Sequence, residues 1–214
     1  MAITEIKLPK VIFESGWLLD ESIAEIEGSS LNDEAIAETS SRLPEFQESW
    51  DHLGPRLLEP VMTNFGITFA EQDIKAFLLC GKLHSQSHPL LINVKRYLAC
   101  LNNTPDPMHE FVEVVFHELL HILLQDRLSA WPTPSIKQFE DENFEVQAHL
   151  HLMSLQKFSH MKSGRDIKSL EKWYGDIGPN YSRAWGLISD DRTFKTLLDE
   201  IPNYFTKNIG DLVK

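Results

Sequence analysis

The stretch of sequence that decides the fold is Val-Val-Phe-His-Glu-Leu-Leu-His-Ile-Leu-Leu, residues 114–124. Every side chain in it is apolar except those of His117, Glu118 and His121. Burying two imidazoles and a carboxylate in so apolar a stretch costs free energy unless something compensates them, and a bound cation does so directly. The stretch therefore predicts a mostly buried helix that carries a metal site.

Signals for the ends of this helix stand on both sides of the stretch. Asp106 followed by Pro107 supplies an N-cap and a proline at the first helical position. At the other end, Arg127 places a positive charge near the C-terminal dipole, and prolines at 132 and 134 forbid continuation. The sequence predicts one helix from Pro107 to about Arg127.

The spacing of the three polar residues indicates a chemistry. Residues four apart on a helix lie about 40° from one another around its axis, so His117 and His121 can direct two imidazole nitrogens at one ion. Glu118 lies roughly 100° round from His117, where it reaches a water in an open coordination position. Zinc lowers the pKa of such a water to about 7, and a carboxylate beside it takes the proton as the water attacks a carbonyl. We therefore expect zinc (Zn2+) and hydrolysis of an amide bond with Glu118 as general base; the alternative is an amphipathic helix with hydrogen-bonded histidines.

A third protein ligand is needed, because catalytic zinc usually takes three and leaves the fourth position to water. The metzincin arrangement is excluded, since Leu124 and Arg127 stand where it has glycine and histidine. The next candidates lie on the segment from Gln138 to Met161, which is predicted to be a second helix. Its acidic and histidine residues are Glu140, Asp141, Glu142, Glu145, His149 and His151.

The motif resembles that of the gluzincin metallopeptidases, the thermolysin-like superfamily. In those proteins H-E-x-x-H is completed by a glutamate from the following helix, often as E-x-x-A. The matching residues here are His117, Glu118, His121 and the sequence Glu-Val-Gln-Ala at 145–148. The resemblance covers roughly residues 110–150 and implies a zincin-like fold, zinc bound by His117, His121 and Glu145, and a peptide or protein substrate.

Two glutamates compete for the third position. Glu142 lies 21 residues after His121, close to the spacing of thermolysin-like enzymes, whereas Glu145 lies 24 residues after it. Against that spacing, the proline-containing loop allows a longer connection, and the small Ala148 lets two helices approach closely. Glu145 is the preferred ligand, with His149 a more remote choice. His149 also stands where the family commonly has an aspartate or asparagine that orients a ligand histidine.

Composition narrows the class of protein. With 214 residues and 42% hydrophobic side chains, the chain can form one core, so we expect a single domain, 1–214, which a cleft could divide into lobes 1–128 and 129–214. A formal charge of −12 without a basic cluster argues against a nucleic-acid surface. With neither a secretory signal nor a membrane span, and with Cys80 and Cys100 outside any C-x-x-C motif, the sequence indicates a cytoplasmic protein. Both cysteines are expected to be packing residues.

The rest of the chain predicts an α+β fold, mostly helical, with a small mixed or antiparallel sheet beside the buried helix. Asn93, on the last predicted strand, is either a substrate contact or an ordinary residue on the wet face of a sheet. The predicted strands are 3–13, 69–83 and 89–98, and the other predicted helices are 14–27, 43–64 with a break or bend at Pro55 and Pro60, 167–174, 181–189 and 194–205 broken at Pro202.

No residue is marked by its spacing as the donor that stabilises an oxyanion. Tyr174, Tyr181, Arg183 and His160 are available, but packing or surface placement is the preferred explanation of each. The chain also lacks a phosphate loop and a G-x-S-x-G elbow, which excludes nucleotide and serine hydrolases. The main hypothesis is a zinc metallopeptidase. The second is a non-catalytic binding or regulatory protein that retains the scaffold, with structural zinc or none.

Overall fold

The computed structural model describes residues 6–125 and 131–204. Over these residues the protein is mostly helical and has a small sheet of three strands, so the predicted α+β class is confirmed. The chain divides into two compact units, each described here by itself. Of the described residues, the sheet unit comprises Leu8–Pro55 and Glu71–Ile122, and the helical unit comprises residues 6–7, 56–70, 123–125 and 131–204.

The helices and strands are numbered in chain order. They are β1 (Lys10–Ser15), α1 (Trp17–Ile26), α2 (Asp33–Ser41), α3 (Leu43–Phe65), β2 (Asp73–Leu79), β3 (Leu91–Asn93), α4 (Met108–Gln125), α5 (Phe144–Ser163), α6 (Ile167–Ile177), α7 (Pro179–Ser189) and α8 (Asp191–Tyr204). Two short 3-10 helices, Lys95–Tyr97 and Ile136–Phe139, lie in the connections.

The sheet has the order β1-β2-β3, and both strand pairs are parallel. Val11 lies opposite Ile74, and Leu78 lies opposite Ile92. The prediction of a mixed or antiparallel sheet is therefore wrong. Alternation of buried and exposed residues identifies a strand but is the same for either direction, and the direction depends on the path of the connection. Here residues 80–90 carry the chain back, so that β3 runs alongside β2 in the same direction.

Phe111 anchors the first turns of α4 in the sheet unit. Its buried ring packs against Phe13 of β1 at 5.3 Å, Phe46 of α3 at 4.8 Å and Tyr97 at 5.8 Å between ring centroids. Such aromatic pairs contribute about 0.5–1.5 kcal/mol each beyond burial. Because a helix is stiff, these contacts also fix the position of His117, which lies about 9 Å further along the axis.

The observed bounds of α4 agree with the sequence at its start. The helix begins at Met108, next to the predicted Pro107, and is described as far as Gln125. The predicted end at Arg127 falls outside the described residues. The predicted burial is confirmed: of residues 114–124, only Val114, His121 and Ile122 are half-buried, and the others are buried.

Helix α3 continues through its prolines. Residues 43–65 form one helix of 23 residues that contains Pro44, Pro55 and Pro60, so the helix is not broken there, and the alternative of a bend stays a prediction. A proline inside a helix removes one backbone hydrogen bond. The buried side chains of Trp50, Leu57 and Val61 hold the helix despite that loss.

Helix α5 is the central element of the helical unit. It begins at Phe144, six residues later than the predicted Gln138, because Asn143 caps it by accepting a hydrogen bond from the Val146 amide at 2.9 Å. It ends at Gly164, whose φ of 69° is the left-handed conformation that favours glycine. Helices α6, α7 and α8 pack against it through apolar residues that include Leu150, Met153, Trp185, Leu197 and Ile201.

A buried carboxylate ties three segments of the helical unit together. Glu200 of α8 accepts hydrogen bonds from the Thr133 hydroxyl at 2.7 Å, the Ser135 amide at 2.8 Å and His151 Nε2 of α5 at 3.0 Å. Burial by itself raises the pKa of Glu200, but these donors outweigh it and lower the pKa to about 2. The carboxylate is therefore charged and holds the segment that follows residue 130 onto α5 and α8.

Two further predictions concern the class of protein. Within the described residues, no helix combines the length with the apolar character that a membrane crossing requires. Cys80 and Cys100 are both free thiols; Cys80 is buried and Cys100 is half-buried. Burial raises the pKa of each thiol to about 11, which makes both unreactive at neutral pH.

Candidate metal centre

His117 and His121 lie one above the other on α4, as the four-residue spacing predicts. Their ring centroids are 5.0 Å apart and their planes meet at 76°. His117 is buried at 4% exposure, whereas His121 is half-buried. Two imidazoles at this distance can share one ion, with His121 on the side that solvent reaches.

The structure brings a third histidine to this pair. His117, His121 and His149 each offer one ring nitrogen, and these three nitrogens all lie within 4.8 Å of one another. Three imidazoles are a donor set that suits zinc.

The protonation of His149 is fixed by a backbone contact inside α5. Its Nδ1 lies 2.7 Å from the carbonyl oxygen of Glu145. A carbonyl only accepts, so Nδ1 carries the proton and, in the neutral ring, the lone pair is on Nε2. Burial also lowers the pKa of His149, which favours the neutral ring. This is the arrangement in which metal-binding histidines are commonly held.

Glu118 lies on α4 beside His117 and is 9% exposed. Burial raises the pKa of its carboxyl group to about 7. A cation close to a carboxylate acts in the opposite direction and favours the charged form. Glu118 is thus a buried carboxyl group next in sequence to His117, and its role as a general base stays a prediction.

The two glutamates that the sequence offered as third ligands are engaged elsewhere in the helical unit. Glu145 is exposed, and its Oε2 accepts a hydrogen bond from the Asn180 amide at 2.5 Å. Glu142 forms an ion pair with Arg183 at 2.5 Å, which lowers the pKa of Glu142. The three-residue cluster contains His149, the remote choice of the sequence, and neither glutamate. The assignment of Glu145 as a ligand stays a prediction.

The side chains considered as oxyanion donors have diverse surroundings. Tyr181 packs against the ring of His149, with centroids 4.7 Å apart. Tyr174 is buried and donates its hydroxyl to Gln156. Arg183 is bound to Glu142, and His160 is buried at 3% exposure. Tyr181 therefore contacts a member of the histidine cluster.

Asn93 braces a loop in the sheet unit. Its amide nitrogen donates to the carbonyls of Gly81 at 3.1 Å and Leu83 at 2.5 Å, and its amide oxygen accepts from the Lys95 backbone at 3.1 Å. The side chain thus uses its donors and one acceptor on its own loop. Side-chain patterning does not encode this role, and a contact of Asn93 with a substrate stays a prediction.

Glu113 is a buried polar residue that the sequence analysis did not single out. It is 4% exposed and lies one turn before His117 on α4. A carboxylate on the ligand-bearing face of a helix is typical of groups that orient ligand histidines. The sequence could have identified Glu113, because residues 113, 117 and 121 are spaced four apart and therefore lie on one face of a helix.

The chain was compared with protein-family models, with curated proteins and with solved structures, and it matches none of them. The resemblance to gluzincins therefore depends on the H-E-x-x-H motif and on the glutamate that follows it in sequence.

Proposed function

We propose that this protein is a zinc-dependent peptidase in which His117, His121 and His149 hold the metal and Glu118 is the general base. The observation that carries the proposal is the group of three imidazole nitrogens within 4.8 Å of one another, in a chain whose H-E-x-x-H helix is buried. The zincin-like character of the fold is part of the same proposal.

The chemistry of the donors supports a resident cation. Three imidazole nitrogens within 4.8 Å of one another are a donor set that can bind one ion. His149 Nδ1 donates a hydrogen bond to the Glu145 carbonyl oxygen at 2.7 Å. In the neutral ring, Nε2 therefore has the lone pair that can bind a metal. Nitrogen donors favour zinc over calcium or magnesium, which prefer oxygen.

Each residue then has a defined task in peptide hydrolysis. The three histidines would hold zinc, which would supply a Lewis acid for a water molecule and for the peptide carbonyl. Glu118 would accept a proton from the attacking water on its carboxylate and pass it to the leaving amine. Glu118 is 9% exposed, and this burial would limit the access of bulk water to the proton transfer.

The ligand set is tested by the zinc content of purified variants. We expect about one zinc per wild-type chain and a loss of most of it in His117→Ala, His121→Ala and His149→Ala. The control is His109→Ala, which removes an exposed histidine from the same helix. Glu145→Ala and Glu142→Ala keep their zinc if His149 is the third ligand. Loss of zinc from Glu145→Ala together with retention in His149→Ala would return the third position to the glutamate that the gluzincin resemblance implies.

The catalytic role of Glu118 is tested by Glu118→Gln on the zinc-loaded protein with a broad peptide library. This change keeps the shape of the side chain but removes the base, so zinc stays bound and hydrolysis falls by about 10²–10⁴-fold or more. If zinc-loaded wild type cleaves no peptide in the library, the peptidase assignment is rejected and zinc has a structural role. Equal turnover by wild type and Glu118→Gln rejects Glu118 as the base.

A further inference from the structure

An aromatic column packs against His149 within the helical unit. Tyr181 of α7 lies 4.7 Å from the His149 ring, with an angle of 58° between the planes. Tyr181 in turn stacks on Tyr174 of α6 at 6.2 Å and 14°, and Tyr174 stacks on Trp185 at 5.5 Å and 30°. Tyr174 and Trp185 are buried, and Tyr174 also donates its hydroxyl to Gln156, so the base of the column is fixed.

The start of α7, which carries Tyr181, is attached to the start of α5 by polar pairs on both sides of the tyrosine. Asn180 donates to Glu145 Oε2 at 2.5 Å and accepts from the Asn143 amide at 2.9 Å. Arg183 pairs with Glu142 at 2.5 Å. Residues 180 and 183 therefore hold Tyr181 against α5 at the level of His149. The two glutamates that resemble metal ligands in sequence hold this helix.

We propose that Tyr181 is a positioning residue for His149, and that Glu142 and Glu145 brace it through α7. The proposal rests on the metal site proposed above and deepens it. A histidine side chain has two rotatable bonds. The hydrogen bond from His149 Nδ1 to the Glu145 carbonyl oxygen, 2.7 Å long, restrains one edge of the ring. The Tyr181 ring restrains the face. Together they present Nε2 in one orientation.

The physical gain is pre-organisation. A ligand histidine that samples several rotamers must lose that freedom when the metal binds, which reduces the affinity. Groups that orient ligand histidines commonly change metal affinity by about 10–100-fold when they are removed. The effect of Tyr181 should therefore appear in metal affinity and in the geometry of the bound ion. It depends on the flat ring and not on the hydroxyl group.

The experiment is a Co2+ titration of the full chain, followed by visible absorption and by competition with a chelator. Tyr181→Phe should bind Co2+ within about twofold of wild type and give the same spectrum. Tyr181→Ala should bind about 10–100-fold more weakly and give altered bands, because the ligand field reports the geometry of His149. Trp185→Ala is the matched control, since it removes a ring from the same column without touching His149. It should lower stability and leave Co2+ affinity within about threefold.

Tyr181→Leu fills much of the space without a flat ring and replaces the alanine variant if that variant fails to fold. Wild-type affinity and spectrum in the alanine or leucine variant would overturn the proposal while the metal site stands. Weak binding by Tyr181→Phe would overturn it in favour of a role for the hydroxyl. If wild type binds no Co2+, the proposed function fails, and the positioning role fails with it.

The braces are tested in the same titration by Glu145→Ala and Glu142→Ala. Each should keep one Co2+ per chain and weaken its binding by about two- to tenfold, because Tyr181 loses one of its attachments but keeps the other. The double variant should approach the loss seen in Tyr181→Ala. Complete loss of the ion from Glu145→Ala would identify Glu145 as a ligand and overturn its role as a brace.

Discussion

Glu200 is a buried carboxylate, 8% exposed, that three donors reach within the helical unit. Its pKa is lowered from 4.5 to about 2 despite the opposing effect of burial, because His151, Thr133 and Ser135 stabilise the charged form. A lowered pKa means that the stabilisation is complete above pH 4.5 and is lost as the pH falls towards 2. The full effect is on the order of 3 kcal/mol.

We predict that Glu200→Gln lowers the free energy of unfolding at pH 7 by about 1.5–3 kcal/mol, since it removes a charged acceptor from three donors. Urea unfolding of wild type and variant at pH 7, 4.5 and 3 measures the difference. That difference should shrink between pH 4.5 and 3, because Glu200 takes up its proton in the unfolded chain while it stays charged in the folded one. The control is Asp199→Asn, which removes an exposed charge from the same helix and should change stability by under about 0.5 kcal/mol. A difference that is constant with pH would contradict the assigned role.

The third ligand shows where inference from sequence stops at the residue scale. The pair His117 and His121 follows from the spacing alone, and the structure has it as predicted. Glu145 and His149 are one turn apart and share a face of α5, so periodicity cannot separate them. The structure adds that Asn143 caps α5 and that Asn180 donates a hydrogen bond to Glu145, and neither contact is visible in the motif.

At the scale of one element, α3 carries a glycine where a side chain has no room. A Cβ added to Gly54 would lie 2.5 Å from the ring of Trp50, which is 2% exposed and cannot move aside freely. A glycine inside a helix ordinarily costs about 1 kcal/mol relative to alanine. At this position the clash outweighs that gain, because forcing the Trp50 ring out of place costs about 1–3 kcal/mol.

We predict that Gly54→Ala destabilises the protein by about 1–2 kcal/mol, whereas Gly186→Ala in α7 leaves it unchanged or adds up to about 1 kcal/mol. Gly186 is the matched control, since an added Cβ there meets nothing within 4 Å. Thermal unfolding of the two variants, followed by circular dichroism, compares a helical glycine with and without a close neighbour. Equal shifts in the two variants would show that Trp50 yields to the added methyl group.

Helices were predicted more reliably than the sheet, for a physical reason. Apolar residues recur in α4 with the period of a helix, and few polar residues lie between them. The existence of the helix therefore follows from hydrophobicity alone. The strands β2 and β3 were found near their predicted places, but their direction was not, because strand alternation carries no direction. The prolines of α3 would break the helix only if its packing were too weak to compensate for them. Trp50 and Leu57 are buried, and this packing keeps the helix continuous.

At the scale of the whole molecule, the formal charge of −12 attracts any cation. Self-repulsion of such a charge destabilises the folded chain, and added salt relieves it through screening. A general rise in stability with a divalent cation is therefore no sign of a site. A site made of imidazoles discriminates between cations, because Mg2+ prefers oxygen ligands and Zn2+ accepts nitrogen.

We predict that Zn2+ raises the midpoint of thermal unfolding, at a concentration about 100 times its Kd, by roughly 5–10 °C beyond the effect of an equal concentration of Mg2+. Binding to the folded state at that ratio contributes about 2.7 kcal/mol, and each kcal/mol shifts the midpoint of a chain of this size by about 2–4 °C. A chelator should reverse the rise. His121→Ala keeps the surface charge and should lose the Zn2+ response while retaining the small Mg2+ response. If Mg2+ matches Zn2+, or if His121→Ala still responds to Zn2+ as wild type does, the stabilisation comes from the acidic surface and the three histidines do not bind the ion.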